Sequence, residues 1–233
     1  MQCVMCTLST RSAVTSDLRS DMTDTAATAR ETYRHGDLRQ ALLAAGIEMA
    51  QEGGPDAVIL REATRRAGVS PNAAYRHFSD RQALLVAVSA SAQGFVADSM
   101  ESARYEVPAT DDPVADARAR LRAVGSGYLG FARREPGLFR AAFTVPDDLA
   151  NSGAPAKAGA FGLTPFQVLG AVLDELVSVG ALPAERRANA ELLGWSTVHG
   201  LGMLVIDGPL RGLTDPVVDH MTERLLDMVD RGL

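Results

Sequence analysis

The chain has 233 residues, of which 46% are hydrophobic, 22% charged and 5% aromatic, a balance that excludes a fibre or a wholly disordered chain and is enough for one large domain or two small ones. Its formal net charge of −6 provides no general attraction to a polyanion. The apolar stretch Leu192–Ile206, 15 residues interrupted by Ser196, Thr197 and His199, falls short of the ~20 that a membrane span needs, so no transmembrane segment is expected.

Residues 1–32 are rich in Ser, Thr, Asp and Ala, carry no apolar period and read as a mobile N-terminal arm. This arm lacks a charged segment followed by an apolar core, and Cys3 and Cys6 are the only cysteines, so neither a secretory leader nor a disulfide framework is expected and the compartment reads as cytoplasmic. Cys3-x-x-Cys6 has redox-motif spacing without the strand and helix such a motif needs around it, and reads as incidental thiols. Part of this arm would be untranslated if a later start were used, for instance Met22.

From Asp37 onward the apolar spacing is helical. Leu38, Leu42, Ala45 and Met49 form one stripe, ended by Gly53-Gly54-Pro55. Between Leu60 and Phe78 the pattern is helix, turn, helix. A short helix runs through Ala67, Gly68 supplies a left-handed turn, Val69 anchors it, Ser70-Pro71 gives a cap and a first helical residue, and a second helix covers Asn72 to Phe78. So short a helix buries little apolar area, and Phe78 is the better core candidate. Tyr75, His77 and Arg81 offer a phenol, an imidazole and a cation suited to phosphate oxygens. Charge agrees with this. Residues 61–81 hold five arginines against Glu62 and Asp80, whereas the 152 residues after Arg81 carry 13 basic and 19 acidic side chains. Arg65 and Arg66 read as a solvated face.

A long helix follows, from Asp80 to about Ala103, with Ser79-x-x-Gln82 fitting a capping box. Val114, Ala117, Leu121, Val124, Tyr128 and Phe131 make an apolar seam; Phe166, Leu169, Leu173, Leu176 and Val177 another. Leu192, Trp195, Val198, Met203 and Ile206 make a third, and Val217, Met221, Leu225 and Met228 the last. Thr164-Pro165, with Gln167 completing a capping box, and Asp215-Pro216 mark two helix starts, while 105–113 and 144–162 read as loops. No stretch alternates convincingly with period 2. The expected fold is all-α, about nine helices: an N-terminal three-helix helix-turn-helix unit over residues 33–81, then a larger helical bundle over 82–233.

Tyr128, Phe131, Phe139, Phe143, Phe166, Trp195 and His199 come from four expected helices. Aromatic side chains on facing helices suit a small-molecule cavity, and they equally suit a packed core. Gly194, Gly200 and Gly202 within one helix suit either close helix approach across a dimer interface or flexibility beside a pocket. The four histidines, His35, His77, His199 and His220, fall on separate segments without HExxH spacing, no Gly-rich loop follows a strand, and no serine sits in a nucleophile elbow. No catalytic residue, metal site or cofactor is expected, and an enzyme is not the reading. The rival reading is a helical small-molecule carrier or enzyme that retains the N-terminal unit, centred on His199 and Tyr128.

The run Leu60-Arg-Glu-Ala-Thr-Arg-Arg-Ala-Gly-Val-Ser-Pro-Asn-Ala-Ala-Tyr-Arg-His-Phe-Ser-Asp-Arg-Gln-Ala-Leu-Leu85 resembles the TetR/AcrR family of transcriptional regulators, chiefly through Ala67-Gly-Val-Ser70 and Tyr75-Arg-His-Phe78. Gly-Trp-Ser-Thr-Val-His-Gly, with Trp195, His199 and Gly200, resembles the Trp and His-Gly signature of one C-terminal subtype. The resemblance implies a homodimer that binds a palindromic double-stranded DNA operator, dimerises through its last two helices and encloses a pocket for a small-molecule effector. It implies that Tyr75, His77 and Arg81 hold the DNA backbone and that Arg61, Pro71, Asn72, Ala73 and Arg76 face bases, with Ser70 at the cap. The seven aromatic and imidazole residues above would line the pocket. Two positions depart from the family pattern: Ile59 stands where a capping Ser or Thr is usual, and Arg81 where Lys is.

Overall fold

The computed structural model describes residues 38–233; the arm with Cys3, Cys6 and Met22, and also His35, lie outside the described residues. Among the described residues there are nine α-helices and no strand. α1 covers 38–53 and buries Leu42, Ala45, Met49 and Ala50. It ends at Gly54, whose left-handed backbone (φ 74°) leaves its N–H donating to Ala50 O at 2.8 Å. After one 3-10 turn, Pro55–Ala57, come α2 (Leu60–Arg66) and α3 (Pro71–Tyr75). Gly68 between them has φ 67°, a region that costs an L side chain about 1–2 kcal/mol. The Val69 N–H donates to Thr64 O at 3.2 Å, and Ser70 Oγ accepts from the Ala73 N–H at 3.3 Å. α3 stops at Tyr75, short of the expected Phe78. The N–H groups of His77 and Phe78 both donate to Ala74 O, closing the helix in a turn that drops Phe78 into the core.

α4 (Arg81–Tyr105) runs from this unit into the bundle of α5 (Pro113–Arg134), α6 (Pro136–Thr144), α7 (Pro165–Ser178), α8 (Ala190–Ile206) and α9 (Asp215–Gly232). By length and composition alone α4 is apolar enough to cross a membrane, which corrects the expectation that no segment is; half of its apolar stretch is buried inside the protein, where it packs on α5, α6 and α7 as the central core helix. Backbone approaches backbone where α4 meets α5. A Cβ on Gly127 would stand 2.5 Å from Ser99 O and 2.9 Å from Met100 Cα, and Ser99 Oγ donates to Gly127 O at 2.9 Å.

The capping chemistry differs from expectation at two starts. The α4 cap is Asp80, whose carboxylate accepts from the Ala83 N–H at 2.8 Å; Ser79 instead donates to Asp80 at 3.3 Å, so no Ser79–Gln82 box forms. α9 is preceded by Thr214, and Asp215 lies inside the helix, its carboxylate accepting from Arg133 at 2.6 Å. The Thr164–Gln167 box is present in both halves, and Asp112 caps α5 through the Val114 and Ala115 N–H groups. The expected loop 144–162 contains two single 3-10 turns, Leu149–Asn151 and Pro155–Lys157.

The α9 stripe also departs from expectation. The residues this helix buries are Val218 and Leu226, while Val217 and Met228 of the expected seam are exposed and Met221 and Leu225 half-buried. The reason is geometric: α9 has apolar side chains on two neighbouring sides, and the bundle covers only one of them. On α7 the fully buried residues are Val168, Val172, Leu173 and Leu176, which rotates the packed face so that Phe166 and Leu169 are half-buried.

Because a methyl at position 127 has nowhere to go without moving α4 backbone, Gly127→Ala is expected to cost about 1–3 kcal/mol, as overpacked core sites do. Denaturant unfolding followed by circular dichroism checks this; a midpoint equal to that of the unsubstituted protein contradicts the close approach.

Candidate functional site

The N-terminal unit presents α3 outward. Of its five residues only Ala74 is buried; Pro71, Asn72 and Tyr75 are exposed, Tyr75 by 58%, and Ala73 is half-buried. Ser70 and Arg76 flank the helix and are exposed, and His77 is half-buried. A helix held to its support by one alanine and the following Phe78 leaves the rest of its surface for a partner. Arg39, which the sequence reading did not single out, lies with its guanidinium 5.1 Å from the Phe78 ring centroid and backs the same turn.

The arginines of this segment divide into two groups. Arg65 donates to both Glu62 oxygens at 2.7 and 2.8 Å, and Arg66 donates to Glu52 at 2.7 and 2.8 Å and to Glu62 at 3.1 Å. The hydrogen bonds from Arg65 and Arg66 hold the Glu62 carboxyl down at about 2, so this cluster stays ionised and internally neutralised. Arg61 and Arg76 are exposed. Arg81 faces inward over the turn before α2: its Nε donates to Val58 O at 2.8 Å and its Nη2 to Pro55 O at 2.7 Å. The hydroxyl cap absent at Ile59 is absent in fact, since no side chain caps α2.

In the bundle, helices α4 to α9 enclose a cavity of about 380 Å³. Tyr128, Phe143, Phe166, Trp195 and His199 line it, as expected; Phe131 and Phe139 do not reach the wall, because they project into the core, Phe139 fully buried. Phe139 stands behind the lining, edge-on to Tyr128 at 5.2 Å and stacked on His199 at 5.7 Å and 28°. Three wall residues form a chain. Trp195 Nε1 donates to Tyr128 Oη at 3.1 Å, and Tyr128 Oη lies 2.9 Å from His199 Nδ1. Burial pushes the Tyr128 phenol above its ordinary range, the Trp195 bond opposing this more weakly, and burial holds the His199 imidazole below its ordinary value.

The sequence reading missed the charged part of the wall. Lys157, the only lysine in the chain, is buried and donates to Asp147 and, at 2.9 Å, to Asn151 O; Arg122 donates to Asp227 at 3.4 Å. Nothing in a Pro-Ala-Lys-Ala run signals a buried ammonium. Among the described residues no group of three or more His, Cys, Asp or Glu side chains is placed to hold a metal ion.

α6 joins the two regions. At its first turn, Gly137 lies so close to the end of α1 that a Cβ there would meet the carbonyls of Ala50 and, at 2.8 Å, Gln51. At its last turn, Ala142 and Phe143 line the cavity, and Ala142 O accepts from Ser89 Oγ at 2.9 Å and Gln93 Nε2 at 3.0 Å of α4.

Two family descriptions match separate parts of the chain: "Bacterial regulatory proteins, tetR family" over residues 42–88 and "Tetracyclin repressor-like, C-terminal domain" over residues 121–229. Among solved structures, the fold is similar to that of a protein with unknown function from Rhodococcus sp. RHA1, 28% identical, with a TM-score of 0.65 over 84% of this chain and 95% of that one. It is similar in fold to a bacterial regulatory protein in the tetR family from Rhodococcus RHA1, 20% identical, with a TM-score of 0.51 over 82% of this chain and 96% of that one. No curated protein matches the chain.

Two measurements check this geometry. Arg81→Ala, which removes two charge-assisted bonds from a half-exposed group, is expected to lower the stability of the N-terminal unit by about 1–2 kcal/mol, read by hydrogen exchange of α2 amides. For His199 the folded value lies below 6.5, so the unfolded chain takes up the proton first as pH falls. Its contribution to stability is therefore whole above pH 6.5 and declines below it, and a His199→Phe chain should lose that part of the pH dependence in unfolding titrations.

Proposed function

Because the chain belongs to the tetR family of bacterial regulatory proteins, we infer that it is a cytoplasmic, ligand-responsive repressor that binds a palindromic DNA operator as a homodimer and leaves it when a small-molecule effector fills the bundle cavity. Residues 33–81 form the DNA-binding unit and 82–233 the effector-binding and dimerising one. The C-terminal part is of the Trp and His-Gly subtype, carried by Trp195, His199 and Gly200.

On DNA, α3 enters the major groove. Tyr75 and His77 hold phosphates, and Arg61, Pro71, Asn72, Ala73 and Arg76 meet base edges, with Ser70 setting the helix start. Arg81 acts from behind, tying the turn at Pro55 and Val58 to the first turn of α4. Dimerisation uses the uncovered faces of α8 and α9. Leu193, Leu204, Val217 and Met228 are exposed there, and Gly200 has open space where a Cβ would stand. That combination supports a second helix pair packing at close range.

The observation that carries the effector reading is the double engagement of α6, whose Gly137 touches the α1 carbonyls while Phe143 lines the cavity. A ligand that prefers a displaced α6 moves α1, and with it the spacing of the two reading helices, which must match successive grooves about 34–36 Å apart.

Genomic fragments retained by the purified protein supply the test. Binding should fall steeply with added salt. Tyr75→Ala should weaken it on every fragment alike, and Asn72→Ala should cost about 1–3 kcal/mol on the preferred sequence and relax the preference. A strictly monomeric protein that retains no duplex at low ionic strength overturns the reading.

A further inference from the structure

The geometry points to a requirement on the ligand: the cavity takes a mainly apolar molecule, not an anion, that presents a hydrogen-bond acceptor, such as a carbonyl or ether oxygen, to Nε2 of His199. This rests on the cavity reading above and narrows it. The argument begins at Tyr128, which is 2% exposed. Its oxygen already accepts from Trp195 Nε1 at 3.1 Å, and His199 Nδ1 at 2.9 Å is the one partner in reach for its own proton. Were Nδ1 protonated instead, the phenol O–H would be a buried donor with no acceptor, which costs more than a hydrogen bond contributes. The chain of donors is therefore ordered: Trp195 to Tyr128, Tyr128 to His199.

An imidazole that accepts at Nδ1 carries its single proton on Nε2. Nε2 has no hydrogen-bond partner among the described residues, it is not a buried orphan, and its residue lines the cavity. The wall thus offers a donor at this point and asks for an acceptor. Phe139 stacked behind the ring and Phe143 edge-on at 5.0 Å hold its plane, so the donor is fixed in direction.

Negative charge is disfavoured by the rest of the wall. Lys157 is committed to Asp147 and Asn151 O, Arg122 to Asp227, and Asp148 accepts from the Ala150 N–H at 3.0 Å. The charged groups on the wall are Lys157, Arg122, Asp147 and Asp148, and an anionic ligand would lose its hydration without gaining a cation that is not already paired, while Asp148, which has no cationic partner among the described residues, adds repulsion.

Three probes of one size test this on the full-length protein: acetophenone, its apolar isostere cumene, and benzoate, each titrated by calorimetry against the unsubstituted chain and His199→Phe. The ratio of acetophenone to cumene affinity should be about three- to tenfold higher in the unsubstituted chain than in the variant, the range of one neutral hydrogen bond. Benzoate should bind more weakly than acetophenone. An unchanged ratio overturns the acceptor requirement and leaves the cavity reading standing; benzoate binding as tightly as acetophenone overturns the exclusion of anions. Binding of neither neutral probe overturns the cavity reading and the requirement with it. Should His199→Phe fail to fold because it strands the phenol, the double variant Tyr128→Phe with His199→Phe removes both partners and gives the same comparison. Nitrogen-15 NMR of the ligand-free protein reads the tautomer directly: a proton on Nε2 at pH 7 is expected, and a proton on Nδ1 defeats the proposal.

Discussion

Nine residues of α6 have to satisfy three neighbours at once, and most of the functional geometry follows from that constraint. Gly137 lets the helix start against the carbonyls that end α1, Ala142 O accepts from two side chains of α4, and Phe139 and Phe143 turn toward the aromatic cluster. Arg140 adds a bond to Asp207 at the end of α8 at 2.8 Å. A close-packed segment of this kind has no soft direction of motion. Under the proposed function it would move as a body, and its contacts with both the cavity and the end of α1 would couple the two without any long wire of residues.

Electrostatics sharpen how DNA can approach. The chain is acidic overall, and the arginine-rich segment spends Arg65 and Arg66 on Glu62 and Glu52. Uncommitted positive charge at α3 is thereby limited to a few positions around it, among them Arg61 and Arg76, while the bundle beyond Arg81 repels phosphates on average. An acidic body behind a small cationic edge disfavours side-on association and leaves the outward face of α3 as the productive approach. Arg81 illustrates the same economy: two of its donors go to backbone carbonyls of the turn before α2.

Local chemistry was legible in the sequence and tertiary competition was not. Gly68, the Ser70 cap, the Thr164–Gln167 box and the α5 seam from Ala117 to Phe131 depend on neighbours a few residues away, and they stand where spacing put them. The misses share a cause. Asp80 outcompetes Ser79 because its carboxylate reaches the Ala83 N–H, and Asp215 is drawn off its cap by Arg133, 82 residues away in sequence. The buried Lys157 is invisible to local patterns, since burial depends on which helices happen to surround a segment. Within the cavity, five of the seven expected residues reach the wall; periodicity cannot say that Phe139 stands one layer behind His199 rather than beside it.

That second layer gives the cavity its means of acting on α6. Phe139 belongs to α6 and lies face to face with the His199 ring of α8, so the ring proposed to offer a hydrogen bond to a ligand rests on the helix proposed to move. A ligand held by Nε2 and wedged against Phe143 presses on the same helix at two points one turn apart, and the free energy it can deliver to α1 is bounded by its preference for the displaced arrangement over the resting one. Under the proposed function, tight binding alone would therefore not release DNA. On that reading a molecule that fits the resting cavity would stabilise the operator-bound form, and whether a ligand releases or holds DNA would depend on whether its bulk lies toward α6 or away from it.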